Sequence, residues 1–420
     1  MFKSFKSEFL NNIFILFSGT LIAQLIPFLV LPILQRYYYT PADFGLLALF
    51  VSFFELFSKV STFKLEYGLP LQKNTKDAIN LLNAAILASI GVAFVSLFVI
   101  FFFKASIASY YNLSISPFYL FLLPLYIVVT ATNDVGVYWF NRSKKFGLMS
   151  SAKIIQAGFS ESSKLLMGVF QFSFLGLILG RIFGFFTSLF FFVSKFIKYD
   201  LDKLQLISKK DTINAVKSNK NFVFFSTPSV FLGSLINLVY LNLFQYYFSE
   251  DIVGKIGVSM VYLAAGFGVI SVSFSQVYYT KIAEISDKNE LLKTYVKFLK
   301  RLLLVASVPV IIVYLIPSSF VVFLLGDAWS ELIEIARVMV LWLSVWFVSS
   351  SLSFIFIRLG RQKELVLFDV LHLVLIILGF YIGILIKKDV YHALWGFSIS
   401  QIVYYLFAIY IAIFYIKKQK

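Results

Sequence analysis

Cysteine is absent from all 420 residues, which excludes disulfides, thiolate metal sites and cysteine nucleophiles. Only two histidines occur, His372 and His392, and they cannot form a metal cluster alone. Charge is scarce too, at 14% of residues against roughly a quarter in soluble domains. The sequence holds no GxxxxGK loop followed by Ser or Thr, no HExxH helix and no GxSxG elbow, which argues against nucleotide hydrolysis, zinc-helix chemistry and a serine-elbow hydrolase. No cofactor is expected.

What the chain has in abundance is apolar surface. Hydrophobic residues make up 60%, and the mean hydropathy is +0.87. Apolar runs of about 20 residues recur along the whole length, each able to cross a ~30 Å hydrocarbon core as a helix. The pattern predicts about twelve spans, near 12–34, 44–63, 79–103, 117–140, 150–170, 173–195, 221–244, 254–279, 302–325, 335–357, 365–386 and 391–416. Lys3 and Lys6 ahead of an apolar run resemble a signal peptide, but no small-x-small cleavage site follows, so the first span is expected to be retained.

A formal charge of +16 could suggest nucleic acid, yet the basic residues sit in short loops between spans, and no nucleic-acid partner is expected. With a cytoplasmic N-terminus, about 28 of the cations fall in inside loops, among them Arg142, Lys144, Lys145, Lys209, Lys210, Arg358 and Arg361. About five fall outside: Arg36, Lys104, Lys255, Lys387 and Lys388. That bias predicts an even span count, both termini cytoplasmic and an inner-membrane location.

The lysine-rich stretch 199–220 lies almost at mid-chain and reads as a cytoplasmic linker between a bundle over 1–198 and another over 221–420. Shifting the second half by 209 positions places Asn221 on Asn12, Tyr246-Tyr247-Phe248 on Tyr37-Tyr38-Tyr39, and Gly254 on Gly45. Copies of six spans each would share one orientation, as in parallel-repeat transporters. The expected fold is thus an all-α integral membrane protein with two parallel-related six-helix bundles and a site between them.

Ionisable residues inside spans concentrate in the first half. A charge at mid-bilayer costs on the order of 3 kcal/mol, so these should face a wet or protein-lined space. Arg36, Lys59, Lys64, Lys153, Lys164 and Arg181 are the candidate binders of an anionic head group. Glu55, Glu66, Asp134 and Glu161 are candidates for ion coupling. Glu55 and Lys59 are four apart and Glu161 and Lys164 three apart, so each pair shares a helical face. The plainer alternative is that these are neutralising ion pairs or snorkelling lysines. The second half offers chiefly Glu334 and Arg337. Gly176, Gly180 and Gly184 form a ridge suited to close helix packing, and the aromatics suit lipid-facing and interfacial positions.

Gln24-Leu25-Ile26-Pro27, Pro32, Arg36 and Thr40-Pro41-Ala42-Asp43-Phe44-Gly45 resemble the opening of bacterial O-antigen and polysaccharide flippases. These form the Wzx family of the multidrug/oligosaccharidyl-lipid/polysaccharide exporter superfamily. The likeness continues at Phe63-Lys64-Leu65-Glu66-Tyr67, where the family usually has arginine before a Tyr-Glu pair. It resumes over 257–284, at Leu325-Gly326-Asp327-Ala328-Trp329 and at Leu359-Gly360-Arg361-Gln362-Lys363. The resemblance implies a V-shaped pair of bundles with a cationic central cavity. It implies alternating access on an undecaprenyl-diphosphate-linked oligosaccharide, coupled to an ion gradient, and carries Arg36, Lys64 and Glu66 over as site residues. Expected partners are that lipid-linked glycan, membrane lipids, a polysaccharide polymerase and a chain-length regulator, with the chain itself a monomer. The rival readings are a multidrug exporter of the same superfamily, a polyprenyl-dependent polymerase or glycosyltransferase, and a non-transporting scaffold. An enzyme would need an external catalytic loop, and the longest outward connection expected is about 317–334.

Overall fold

The computed structural model describes residues 2–110, 117–283, 285–359 and 361–418. Among them every regular element is helical. The α-helices in chain order are α1 Phe2–Tyr37, α2 Pro41–Ser58, α3 Thr75–Tyr110, α4 Leu122–Arg142, α5 Phe146–Val169, α6 Ser173–Asp200, α7 Lys209–Ser218 and α8 Thr227–Tyr247. Then follow α9 Glu250–Ala283, α10 Lys288–Leu315, α11 Ser318–Leu325, α12 Leu332–Leu352, α13 Phe354–Arg358, α14 Gln362–Ile386 and α15 Val390–Lys418.

Eleven helical segments among the described residues are long and apolar enough to cross a membrane. The protein is therefore a multi-pass membrane protein. The remaining expected span, 150–170, corresponds to α5, which has 24 residues and so the necessary length of about 36 Å. Lys153, Glu161 and Lys164 lower its hydropathy. Its neighbours α1 and α6 pack along it, so its polar residues face protein on those sides.

Local chemistry fixes several boundaries. The Thr40 amide donates to Asp43 Oδ2 at 2.8 Å, and the Asp43 amide donates back to Thr40 Oγ1 at 3.3 Å. This reciprocal cap, with Pro41 in the first turn, starts α2. Pro317 ends the expected ninth span early: α10 stops at Leu315, Ile316 is extended, and α11 is a separate short helix. The residue before a proline is pushed out of helical conformation, so the span expected to reach 325 is interrupted there.

Two compact units emerge, one of residues 1–39 and 46–242 and one of residues 40–45 and 243–420. In the first, α6 lies against α5 so closely that a Cβ at Gly184 would come within 2.7 Å of the Gln156 carbonyl, and one at Gly180 within 2.5 Å of the Lys164 side chain. The glycine ridge is thus a packing device. Short helix α7 docks on α3 through Asn80, which is fully buried. Asn80 Nδ2 donates to Leu206 O at 2.9 Å, while its Oδ1 accepts from the Ser208 amide and the Thr212 hydroxyl, both at 3.0 Å.

In the second unit α12 is central, packed by α9, α10 and α15, with Met339, Val340, Leu343 and Phe347 buried. The first turn of α2 is clasped there. A Cβ on Gly45 would sit 1.9 Å from the Glu250 carbonyl oxygen, and one on Gly254 1.8 Å from that of Pro41. Phe44 stacks edge-on against the buried Trp329 at 5.5 Å.

Candidate functional site: a charged cluster in the first unit

The candidate charges largely converge. Glu55, one turn before the end of α2, divides its carboxylate between two cations. Its Oε2 pairs with Lys59 at 2.6 Å and its Oε1 with Arg181 of α6 at 2.8 Å. Arg181 also donates through Nε to the Tyr126 hydroxyl of α4 at 3.3 Å. On α5 Glu161 pairs with Lys164 at 2.5 Å, and the Glu161 charge also acts on Arg181. The Tyr39 hydroxyl donates to the Lys164 carbonyl at 2.7 Å, which ties the end of α1 to this part of α5.

Lys64 and Glu66 lie in the turn between α2 and α3. Both are buried, and they pair at 3.2 Å. Phe63 and Lys64 have φ of 50° and 54°, a left-handed conformation that costs about 1–2 kcal/mol per non-glycine residue. Lys64 Nζ also lies 5.1 Å from the centre of the Tyr67 ring, and Glu66 Oε2 is buried with no hydrogen-bond partner among the described residues. Asp134 of α4 is exposed and feels the charges of Lys64, Glu66, Lys59 and Glu55. The four ion pairs and Asp134 therefore form one electrostatic group, in which Lys59, Lys64, Lys164 and Arg181 face four carboxylates.

The other two candidates belong to α5 and α1. Lys153 turns to α1 and donates to Thr20 Oγ1 at 3.1 Å. Arg36 is exposed in the last turn of α1. The converged group, with four cations and four carboxylates, balances when all its acids are ionised. Lys59, expected within a span, follows the last residue of α2, its side chain 47% exposed.

Some charges were placed differently by the sequence. Lys255, expected in an outer loop, belongs to α9, is 7% exposed and pairs with Glu331 at 2.7 Å. Arg337 pairs with Glu334 at 2.6 Å and donates to the Ile316 carbonyl. The role of Tyr126 was not anticipated, because its link to Arg181 bridges 55 residues. A buried His372–Gln401 contact of 2.7 Å, with Tyr404 stacked on the imidazole at 3.8 Å, likewise carries no local sequence signature.

A sequence model for a family described as polysaccharide biosynthesis protein matches residues 33–334. An inward-facing multidrug resistance MATE family transporter of the MOP superfamily superposes with a TM-score of 0.72 at 12% identity, with 96% of each chain covered. The lipid II flippase MurJ in an inward closed conformation gives 0.66 at 15% identity, over 94% of this chain and 87% of that one. An outward-facing MATE transporter gives 0.61 at 13% identity, over 97% and 96%. At such identities these likenesses establish the fold. No curated protein matches at a significant level.

Proposed function

The chain belongs to the polysaccharide biosynthesis protein family, and on that premise we propose that it flips an undecaprenyl-diphosphate-linked oligosaccharide, an O-antigen or capsule repeat unit. Movement runs from the cytoplasmic to the periplasmic leaflet of the inner membrane, by alternating access and with ion coupling. A monomer suffices. A polysaccharide polymerase and its chain-length regulator would consume the product. The fold shared with a protein named as a lipid II flippase supports this reading.

The observation that carries the mechanism is the divided carboxylate of Glu55, held by Lys59 on one oxygen and Arg181 on the other. A balanced cluster is tolerable in a span, since each charge has its counter-charge nearby. A diphosphate offers the same cations several anionic oxygens, and guanidinium binds such groups through paired hydrogen bonds. Substrate therefore competes with Glu55. Protonating that carboxylate removes the competitor and leaves Lys59 and Arg181 available to the diphosphate; deprotonating it expels the anion. This supplies the difference in affinity between states that transport requires. Lys64 with Glu66, Lys164 with Glu161, and Asp134 set the surrounding field, with Lys153 and Arg36 at the edges of the path.

The test is a strain lacking the gene. We expect surface polysaccharide to disappear and a single lipid-diphosphate-linked repeat unit to accumulate on the cytoplasmic leaflet. Wild type and Arg361→Gln should reverse this, and Lys59→Gln and Lys164→Gln should not. Accumulation on the outer leaflet would identify a polymerase. No accumulation, with altered drug sensitivity, would identify an exporter of cationic compounds.

A further inference from the structure

A second feature of the first unit lies away from the charged cluster. Between α3, α4 and α6 there is an apolar cleft of about 170 Å³, walled by Ile86, Val135, Gly136, Trp139, Phe192 and Val193. Gly136 helps keep it open, since a Cβ there would already meet the Phe192 ring at 3.0 Å. Val193 is 44% exposed and lies within the apolar segment 173–206, so the cleft opens on the surface of the unit at the level of lipid chains.

One end of the cleft is different. Trp139 and Phe140, which line it, belong to the last turn of α4, where the helix leaves its apolar segment. Three cations gather on these rings. Lys203 Nζ lies 5.6 Å from the Trp139 ring centre and the Arg142 guanidinium 5.9 Å from it. Lys145 Nζ lies 5.6 Å from Phe140 and 4.2 Å from Tyr199. The carboxylate among them is Asp200, which accepts from Trp139 Nε1 at 2.9 Å, pairs with Lys203 and stands 3.9 Å from Lys145. Arg142 spends its Nε on the Gln72 carbonyl at 3.1 Å. Asp202 is exposed on the adjoining turn. An apolar slot thus ends at a cluster where cations outnumber the carboxylate facing them.

We propose that this cleft binds one acyl chain of an anionic phospholipid, with its phosphate held by Lys145, Lys203 and Arg142. The slot accepts hydrocarbon and offers little to a polar group, and the phosphate end meets cations at the depth where head groups lie. Juxtamembrane lysine and arginine clusters attract acidic lipids of the cytoplasmic leaflet. The surrounding bilayer presents such lipids at high local concentration, which favours occupancy by mass action. The site is independent of the transported cargo.

Trp139 reports on the cleft directly. The other four tryptophans, Trp329, Trp342, Trp346 and Trp395, are all in the second unit. The full chain is reconstituted in phosphatidylcholine vesicles containing phosphatidylglycerol brominated on its acyl chains, and the Trp139 emission is taken as wild type minus Trp139→Phe. If that variant fails to fold, a chain with the other four tryptophans changed to Phe gives the same signal. Brominated phosphatidylglycerol should quench this emission several-fold more than brominated phosphatidylcholine does. Val193→Phe, which fills the opening, and the pair Lys145→Gln with Lys203→Gln should each cut the excess at least two-fold. Equal quenching by the two lipids, or an excess unchanged in both variants, would overturn the proposal. So would displacement of the brominated lipid by a small amount of undecaprenyl diphosphate, which would assign the cleft to a polyprenyl chain.

Discussion

Gly45 and Gly254 stand 209 residues apart in the chain and meet backbone to backbone, Gly45 against the Glu250 carbonyl and Gly254 against that of Pro41. Pro41 and Glu250 are separated by the same 209 residues, so the contact is reciprocal. The reciprocity falls at the start of α2 and of α9, which begin at Pro41 and Glu250.

Either glycine should therefore resist even a methyl group. Gly45→Ala and Gly254→Ala place a Cβ under 2 Å from a carbonyl oxygen, and overpacking of this kind costs about 1–3 kcal/mol or more. Both should lower the thermal midpoint in detergent by several degrees. Gly91→Ala, with no atom within 4 Å of the new Cβ, should leave it unchanged or raise it slightly, since alanine favours helix. Three equal midpoints would contradict the close crossing.

The Glu55 bridge separates a structural from a functional role. Glu55→Gln leaves Lys59 and Arg181 without their shared counter-charge and should cost about 1–3 kcal/mol of stability. Adding Arg181→Gln should restore much of that stability, because two neutral partners replace an unbalanced cation. Transport of the lipid-linked glycan should stay low in both, by at least about ten-fold, roughly 1.4 kcal/mol or more. Recovery of flipping along with stability would reduce the bridge to a helix staple. Thermal midpoints and a leaflet-specific glycan assay provide the two readouts.

These residues also mark where the sequence was legible. Eleven of the twelve expected spans coincide with long apolar helices because hydrophobic length is a local property. Glu55 with Lys59 and Glu161 with Lys164 were readable for the same reason, as helical spacing puts them on one face. Arg181 could not be assigned to Glu55 from sequence, being 126 residues away. Lys255 misled because its partner Glu331 is 76 residues distant, and it stood at the very edge of the span expected from 254, whereas α9 already begins at Glu250. Lys64 and Glu66 fell outside α-helical reasoning, since they stand at the start of a 3-10 helix, Leu65–Leu71, that is entered through the left-handed Phe63 and Lys64.

Asn80 should control the mid-chain segment. Its side chain satisfies the Leu206 carbonyl, the Ser208 amide and the Thr212 hydroxyl at once. Asn80→Leu leaves those groups unpaired, at about 1–3 kcal/mol for each that stays buried. Undocking of α7 should then speed tryptic cleavage at the exposed Lys209, Lys210 and Lys217 by several-fold in inside-out vesicles. Ser208→Ala removes the cap that accepts from the Asp211 amide at 3.1 Å and donates to the Asp211 carboxylate at 2.6 Å, and should give a smaller increase, as caps contribute about 1 kcal/mol. Cleavage only in right-side-out vesicles would reverse the proposed orientation.

Asp389 provides an acid-dependent anchor at the other end of the chain, in the connection between α14 and α15. The His392 amide and ring both donate to its carboxylate at 2.9 Å, and Lys387 pairs with it at 3.2 Å. These contacts, the backbone donation first, hold the carboxyl well below its usual range. A depressed folded-state pKa means that the stabilisation is fully present above the ordinary aspartate value of about 3.9 and fades as the pH falls toward the folded-state value. Asp389→Asn should accordingly melt below wild type at pH 7. The gap between the two should close as the buffer is taken from about pH 5 toward pH 3 and below. A gap that stays constant over that range would show that the Asp389 charge contributes nothing, and that its value lies only in the hydrogen bonds that asparagine fails to reproduce.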